Sequence, residues 1–322
     1  MAKKKVLILG GAGFIGSYVN KLLADSGYET IVFDNLSQGR KEMICRGTFI
    51  QGDIGNSADL AKVFSNNSID VVMHFAALID VGESMTDPAS YYKNNICCNL
   101  TLLESMRQFG VNKIIFSSSA GVYGIPKNIP ILEDEPCHPI NPYGETKLVV
   151  EHILRSYDLA YGMKSCSLRY FNAAGGDPSG EIKNTKPKEN NLIPLVLRSL
   201  KLADGKLIIN GTDYPTPDGT CVRDYVHIHD LATAHISAME KLLEGGNTNF
   251  YNLGSGKGYS IREVIAAAES VTGKKVPVSD GPRRPGDPPV LIASINKVNR
   301  ELNWKPSYGL NSMIEHAWKA MN

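Results

Sequence analysis

Val6-Leu7-Ile8-Leu9-Gly10-Gly11-Ala12-Gly13-Phe14-Ile15-Gly16 decides how this chain is read. A short apolar run ends in glycines, and Ile15, Val19, Leu22 and Leu23 then recur at helical spacing, so the stretch reads as strand, turn, helix. Gly10, Gly13 and Gly16 each have a mechanical task in that context. One makes the tight turn, one lets a pyrophosphate approach the backbone, and one lets the helix pack on the strand. The phosphates of a dinucleotide are expected on the N-terminus of that helix.

Outward from this turn, short β-branched runs at 6–10, 29–34, 47–51, 69–75, 112–117 and 164–170 alternate with stretches of helical period such as Leu60, Val63 and Phe64. That alternation predicts parallel strands joined by crossover helices, hence an α/β fold with a doubly wound, mostly parallel Rossmann sheet. After Asn172 the texture changes to Gly, Pro, Asn and Lys, with Gly175 to Gly180 and Lys186-Pro187-Lys188 reading as irregular surface chain. A smaller α/β substrate-binding lobe is expected from there, with helices near 191–203, 229–244, 260–272 and 311–320. The domains are drawn at 1–172 and 173–322, with some later segments returning to the first.

Asp34 closes the second strand, 18 residues past Gly16, where a carboxylate can accept from adenosine ribose hydroxyls and would repel a 2′-phosphate. NAD is favoured over NADP, and the nearby Arg40 keeps the alternative open. Asp53 follows the third strand and reads either as an adenine contact or as a turn former.

Composition narrows the class of partner. The 34 basic and 33 acidic residues of the 322 leave a formal charge of +1, no field suited to nucleic acid. No stretch approaches a membrane span, the basic start is followed by too short an apolar run for a signal peptide, and the six cysteines show no paired spacing. A cytoplasmic protein with reduced thiols and a small-molecule substrate is expected. No metal site is expected: His227 and His229 in Val-His-Ile-His-Asp read as polar residues of one strand, with no third ligand near them in sequence.

Tyr143-Gly144-Glu145-Thr146-Lys147 opens a helical stretch and puts a phenol and an ammonium four apart on one face. An ammonium beside a phenol favours phenolate, a general base. Ser117-Ser118-Ser119 ends the fifth strand, at the carboxyl edge where such sheets hold ligands.

With these three features in order, the chain resembles the extended short-chain dehydrogenase/reductase family and, within it, the UDP-glucose 4-epimerases. The resemblance runs nearly end to end, through His74-Phe75-Ala76-Ala77, Val81 to Ser84, Tyr91 to Asn95, Ser117 to Gly124, Leu168 to Asn172, Asn190-Asn191-Leu192, Val222 to Tyr225 and Arg283-Arg284-Pro285-Gly286-Asp287. It implies that Ser119, Tyr143 and Lys147 are catalytic. It implies an NAD site of Gly10, Gly13, Phe14, Ile15, Gly16, Asp34, Asn35, Asp53, Ile54, Phe75, Ala76, Ala77, Asn94, Ser117, Tyr143, Lys147 and Tyr170. It implies a UDP-sugar site of Ser119, Tyr143, Asn172, Asn191, Leu192, Arg223, Arg284 and Asp287, with Leu291 on the sugar wall, where a small residue goes with acceptance of N-acetylated sugars. A homodimer built on the helix from Asp87 through Phe109 and the one after Pro142 is a further implication. The chain departs from the pattern at Ile79, where relatives carry Lys, and at Asn210, where they carry an aromatic. The related dehydratases and decarboxylases place carboxylates where this chain has Ala120-Gly121, which favours epimerisation. A non-catalytic NAD-binding regulator would not need Tyr143 and Lys147.

Overall fold

The computed structural model describes residues 3–183, 190–202, 205–284 and 287–321. In chain order the elements are β1 (Lys5–Leu9), α1 (Phe14–Asp25), β2 (Glu29–Asp34), β3 (Thr48–Gln51), α2 (Ser57–Ser65), β4 (Val71–His74), α3 (Val81–Thr86), α4 (Pro88–Tyr92), α5 (Cys98–Gln108) and β5 (Lys113–Ser119). Then come α6 (Pro142–Tyr161), β6 (Lys164–Tyr170), β7 (Asn172–Ala174), α7 (Leu192–Ser199), β8 (Leu207–Asn210), β9 (Val222–His227) and α8 (Ile228–Leu243). The chain finishes with β10 (Asn249–Leu253), β11 (Gly258–Ser260), α9 (Ile261–Thr272), β12 (Val278–Gly281), β13 (Val290–Leu291), α10 (Asn296–Leu302) and α11 (Leu310–Met321).

Among the described residues, seven strands form one sheet in the order β10-β6-β5-β4-β1-β2-β3. The pairs β1–β2, β1–β4, β2–β3 and β4–β5 are all parallel. The order reverses at β1, so the ends of β1 and β4 open a crevice of the kind that takes a ligand in doubly wound sheets. The expected fold class is therefore present. β10, which the sequence pattern does not reveal, adds the seventh strand.

Two compact units divide the chain. The first comprises 1–124, 137–169 and 232–251, and the second 125–136, 170–231 and 252–322. The core of the first is aliphatic, with Leu7, Leu9, Ile31, Val72, Ile114 and Phe116 from the strands against Leu60, Leu102, Val150 and Leu154 from the helices. The second unit packs α7, α9 and α11 around Val196, Leu197, Val264, Met313 and Ile314. Its strands are short: β9 pairs antiparallel with β11 and parallel with β7 and β13, while β8 pairs with β12.

Helix ends follow local chemistry. Asn56 caps α2 and Asn141 caps α6, each accepting a backbone N–H at the helix start, and Pro142 takes the first helical position. Ser260 and Glu263 close a reciprocal capping box on α9, and Gly162 and Gly273 end α6 and α9 in the left-handed conformation. The helix expected from Asp87 through Phe109 is interrupted by a wide π turn at Lys93–Cys97 between α4 and α5. Lys186-Pro187-Lys188, Pro285 and Gly286 lie outside the described residues.

The reading of His227 and His229 as one strand face is corrected. His227 is the last residue of β9 and His229 lies in the first turn of α8. His227 Nδ1 accepts the His229 N–H at 2.9 Å, which leaves the proton on Nε2 to meet His316 Nδ1 at 3.0 Å. Two hydrogen bonds therefore fix a neutral imidazole between a strand end and α11.

Candidate active site

The glycine turn is tightly enclosed. Gly10 has φ 74°, and a side chain there would meet the backbone N of Ala76 at 2.5 Å; at Gly16 it would meet the Gly10 carbonyl oxygen at 2.4 Å. Neither position admits a Cβ, since a Cβ does not approach a non-bonded backbone atom so closely. Gly13 sits at the N-cap of α1 without a side-chain cap, and the first turn carries no acid. Phe14 and Ile15 begin the helix, so its free amides point out of the turn and suit an anion.

Asp34 is nearly buried at the end of β2. Its Oδ2 accepts the Ala12 N–H at 3.0 Å and its Oδ1 the Leu36 N–H at 2.8 Å, so the carboxylate also braces the glycine turn. Asn35 donates to Asp53 Oδ2 at 2.7 Å, while Asp53 Oδ1 accepts the Gly55 N–H at 2.7 Å. Ile54, just beyond, packs in the core. Phe75, Ala76 and Ala77 follow β4. The segment is pinned by buried Asn95, which accepts from Leu78 N–H at 2.9 Å and donates to the Leu78 carbonyl at 3.0 Å and to Thr146 Oγ1 at 3.1 Å. Asn94 in turn donates to Asn95 Oδ1 at 2.9 Å. Asn95 is a residue that sequence reasoning missed. Its only local signal is the amide pair Asn94-Asn95, which says nothing about what it pins.

Tyr143 and Lys147 lie one turn apart on α6, facing the end of β5. Lys147 Nζ donates to the Ser117 carbonyl at 2.8 Å and stands 5.7 Å from the centre of the Tyr143 ring and 5.0 Å from that of Phe116. The Ser119 hydroxyl accepts the Gly121 N–H at 3.0 Å and hydrogen-bonds the Tyr143 phenol. The three residues are therefore brought together. Their electrostatics differ from the sequence expectation. Burial raises the Tyr143 phenol above its ordinary value, with Ser119 opposing, and burial pulls Lys147 down to about 7, with Glu151 opposing. Burial thus acts on Tyr143 against the expected effect of the neighbouring ammonium.

The second unit carries the remaining predicted residues. Tyr170 ends β6. Asn172 donates to the Asp224 carbonyl at 2.9 Å, and Asp224, fully buried, accepts from the backbone of Ser255, Gly256 and Ala293. Asn191 is the N-cap of α7 and makes no side-chain cap, and Leu192 follows it. Arg223 pairs with Asp287. Leu291 on β13 is the register partner of Arg223 on β9. Asn210, with its amide oxygen turned to the guanidinium, accepts from Arg284 at 3.1 and 3.0 Å. At the position where the resemblance implies an aromatic, Asn210 thus orients an arginine. Ile79, the other departure, is 55% exposed.

Comparison with known proteins places this geometry. The family described as "NAD dependent epimerase/dehydratase family" matches residues 6–254. The chain is 48% identical to a UDP-glucose 4-epimerase of Lacticaseibacillus casei over 97% of its length and 95% of the relative's. It superposes with TM-score 0.95 and 45% identity on the UDP-glucose 4-epimerase from Brucella ovis in complex with NAD, covering 98% of this chain and 97% of that one. With the enzyme from Bifidobacterium longum in complex with NAD+ and UDP the TM-score is 0.93 at 38% identity, and 98% of each chain is covered. A family match from β1 through β10, with relatives of nearly equal length and fold, means that the chain belongs to the NAD dependent epimerase/dehydratase family.

Proposed function

We propose that the chain interconverts UDP-glucose and UDP-galactose, oxidising the sugar 4-hydroxyl and reducing the ketone from its other face with NAD as resident cofactor. The observation that carries this is the convergence of Ser119, Tyr143 and Lys147 at the carboxyl end of β5, in the same unit as a glycine cradle that excludes any Cβ. The cradle and the uncapped start of α1 fit a dinucleotide diphosphate. Asp34 is assigned to the adenosine ribose and Asn35, Asp53 and Ile54 to the adenine end. Phe75, Ala76, Ala77, Asn94, Ser117 and Tyr170 are assigned to the rest of the cofactor.

NAD, when bound, would supply a reversible hydride acceptor for C4, so that no net oxidation would result. Tyr143, as phenolate, takes the proton of the 4-hydroxyl and gives it back at the end of the cycle. The Ser119 hydroxyl bonds the same oxygen, and Lys147 in its charged form favours the phenolate. The 4-keto sugar must turn over between the two transfers. That requires loose contact with the sugar and firm hold of the UDP, which Asn172, Asn191, Leu192, Arg223, Arg284 and Asp287 are assigned to provide. The turn after Ser119 is Ala120-Gly121-Val122 and carries no acid, so nothing there is equipped to eliminate water. Leu291 is assigned to the sugar wall, where a side chain smaller than an aromatic ring goes with room for a 2-acetamido group, which extends the substrates to UDP-GlcNAc and UDP-GalNAc.

The protein is assigned to the cytoplasm and to a homodimer. Its cysteines are all free, and no described helix is long and apolar enough to cross a membrane. Met85 on α3, Leu100 on α5 and Leu159 and Tyr161 on α6 are large apolar side chains exposed on the first unit, as a contact with a second copy requires. Sedimentation that gives a monomer at working concentration refutes the dimer.

The experiment that tests the function is conversion of UDP-galactose to UDP-glucose by NAD-loaded protein without added reductant. Tyr143→Phe removes only the titrating oxygen, so it keeps bound NAD and lowers kcat by about 10²–10⁴-fold. Near-parental turnover in that variant, with cofactor content assayed in parallel, overturns the assignment.

A further inference from the structure

Behind the reacting groups lies a buried charge cluster that takes no part in the proton and hydride transfers. Glu151 follows Lys147 on α6 at the same four-residue step by which Lys147 follows Tyr143. Its carboxylate is gripped by Arg169 of β6, Nε to Oε1 at 3.0 Å and Nη2 to Oε2 at 2.6 Å, with both side chains less than a tenth exposed. Arg169 is itself fixed. Its Nη1 donates to Tyr123 Oη at 2.8 Å, and its guanidinium lies 4.2 Å from the centre of the Phe250 ring. The Ser118 hydroxyl donates to Glu151 Oε1 at 2.5 Å. Thus α6 holds the end of β5 from two successive turns: Lys147 takes the Ser117 carbonyl and Glu151 takes Ser118, which leaves Ser119 the next residue along a strand already held twice.

We propose that Glu151, fixed by Arg169, is a positioning residue for the Ser119–Tyr143–Lys147 group, tying the end of β5 to α6 and supplying the negative charge that faces the Lys147 ammonium. The proposal rests on the epimerase reading for its effect on turnover. Two consequences come from the geometry. A one-residue displacement of β5 against α6 would separate Ser119 from the phenol, and near-attack geometry tolerates errors of well under an ångström. Among the described residues, the titratable groups around Lys147 are few: Tyr143 and Glu151 on α6, and neutral His74 at the end of β4. Around Glu151 stand Arg169, Tyr123 and Cys137. Of these, Glu151 is the group that favours the charged lysine against the pull of burial.

The test is Glu151→Gln in the NAD-loaded protein, read by carbon NMR of the Lys147 side chain against pH, assigned with Lys147→Met, and by the pH profile of kcat. The expected result is that Lys147 loses its proton about one pH unit lower or more, tenfold in its charged fraction on the alkaline side. The alkaline loss of kcat moves with it, KM stays within about twofold, and Glu151→Asp restores both. An unmoved lysine titration overturns the proposal whether or not the protein epimerises, and failure of the parent to convert UDP-galactose overturns the epimerase reading instead. Removing one partner of a buried pair can abolish folding. If Glu151→Gln does not fold, Glu151→Leu with Arg169→Leu, which leaves no lone charge, is put to the same titration and the same criterion.

Discussion

Lowering the pH from 7.5 to 5.0 will cost this protein stability through two histidines that are folded neutral, and His74 isolates the effect. His74 is 1% exposed at the end of β4. Neither ring nitrogen has a hydrogen-bond partner in the protein; Phe116 packs 5.9 Å away, and Asn99 is close without closing a bond. Burial, followed by the positive charge of Lys147, lowers its pKa from 6.5 to about 3. His227 is lowered to about 3 by burial and then by His316 and His229. Because the folded value lies below the unfolded one, the unfolded chain binds more protons between the two. The stability is whole above about pH 6.5 and drains away as the pH falls toward 3. At pH 5, about 1.5 units below the free value, each histidine has lost about 2 kcal/mol, a large share of a domain's usual 5–15 kcal/mol. Asp224 and Asp230, raised by burial, act in the opposite sense at lower pH, so the difference between proteins carries the test. Urea unfolding of the parent and of His74→Leu at pH 7.5, 6.5, 5.5 and 5.0 measures it. The variant's stability relative to the parent should rise by about 2 kcal/mol between pH 7.5 and 5.0. A difference that stays constant with pH means that His74 is not a neutral buried group and refutes the reasoning.

Gly16→Ala places a methyl 2.4 Å from the Gly10 carbonyl oxygen, so the turn must open and NAD retention after dilution falls at least tenfold; retention equal to the parent's removes the diphosphate from this turn. Leu291→Tyr fills a wall beside Arg223 and lowers kcat/KM for UDP-GlcNAc by about tenfold to a hundredfold with UDP-galactose nearly unchanged. Equal losses on both substrates, or no turnover of UDP-GlcNAc by the parent, show that this residue does not gate the sugar.

Local pattern was enough wherever one residue type does one mechanical job. Gly10 and Gly16 are legible because the turn has no room for anything else, and Tyr143 and Lys147 because a four-residue step fixes a shared helix face. Of the first six strands of the sheet, β1, β2, β4 and β5 are legible because each holds a continuous apolar run that is buried. β10 was missed because Asn249 and Asn252 break its run. Within the second unit, β7, β11 and β13, of two or three residues each, are too short to show any period. The π turn at Lys93–Cys97 left the helical pattern intact on either side and so was invisible. The electrostatics of the site were hidden for a different reason. The expectation for Tyr143 counted a charged neighbour and not the water lost from around the phenol, and burial has the larger effect. Glu151 continues the same four-residue step and was passed over, because its meaning comes from Arg169, 18 residues on along the chain and two strand positions from β4 across the sheet. A helix face tells which side chains point together. Only the neighbouring strand tells which of them are held, and at this site the held carboxylate is what opposes the loss of charge on the lysine.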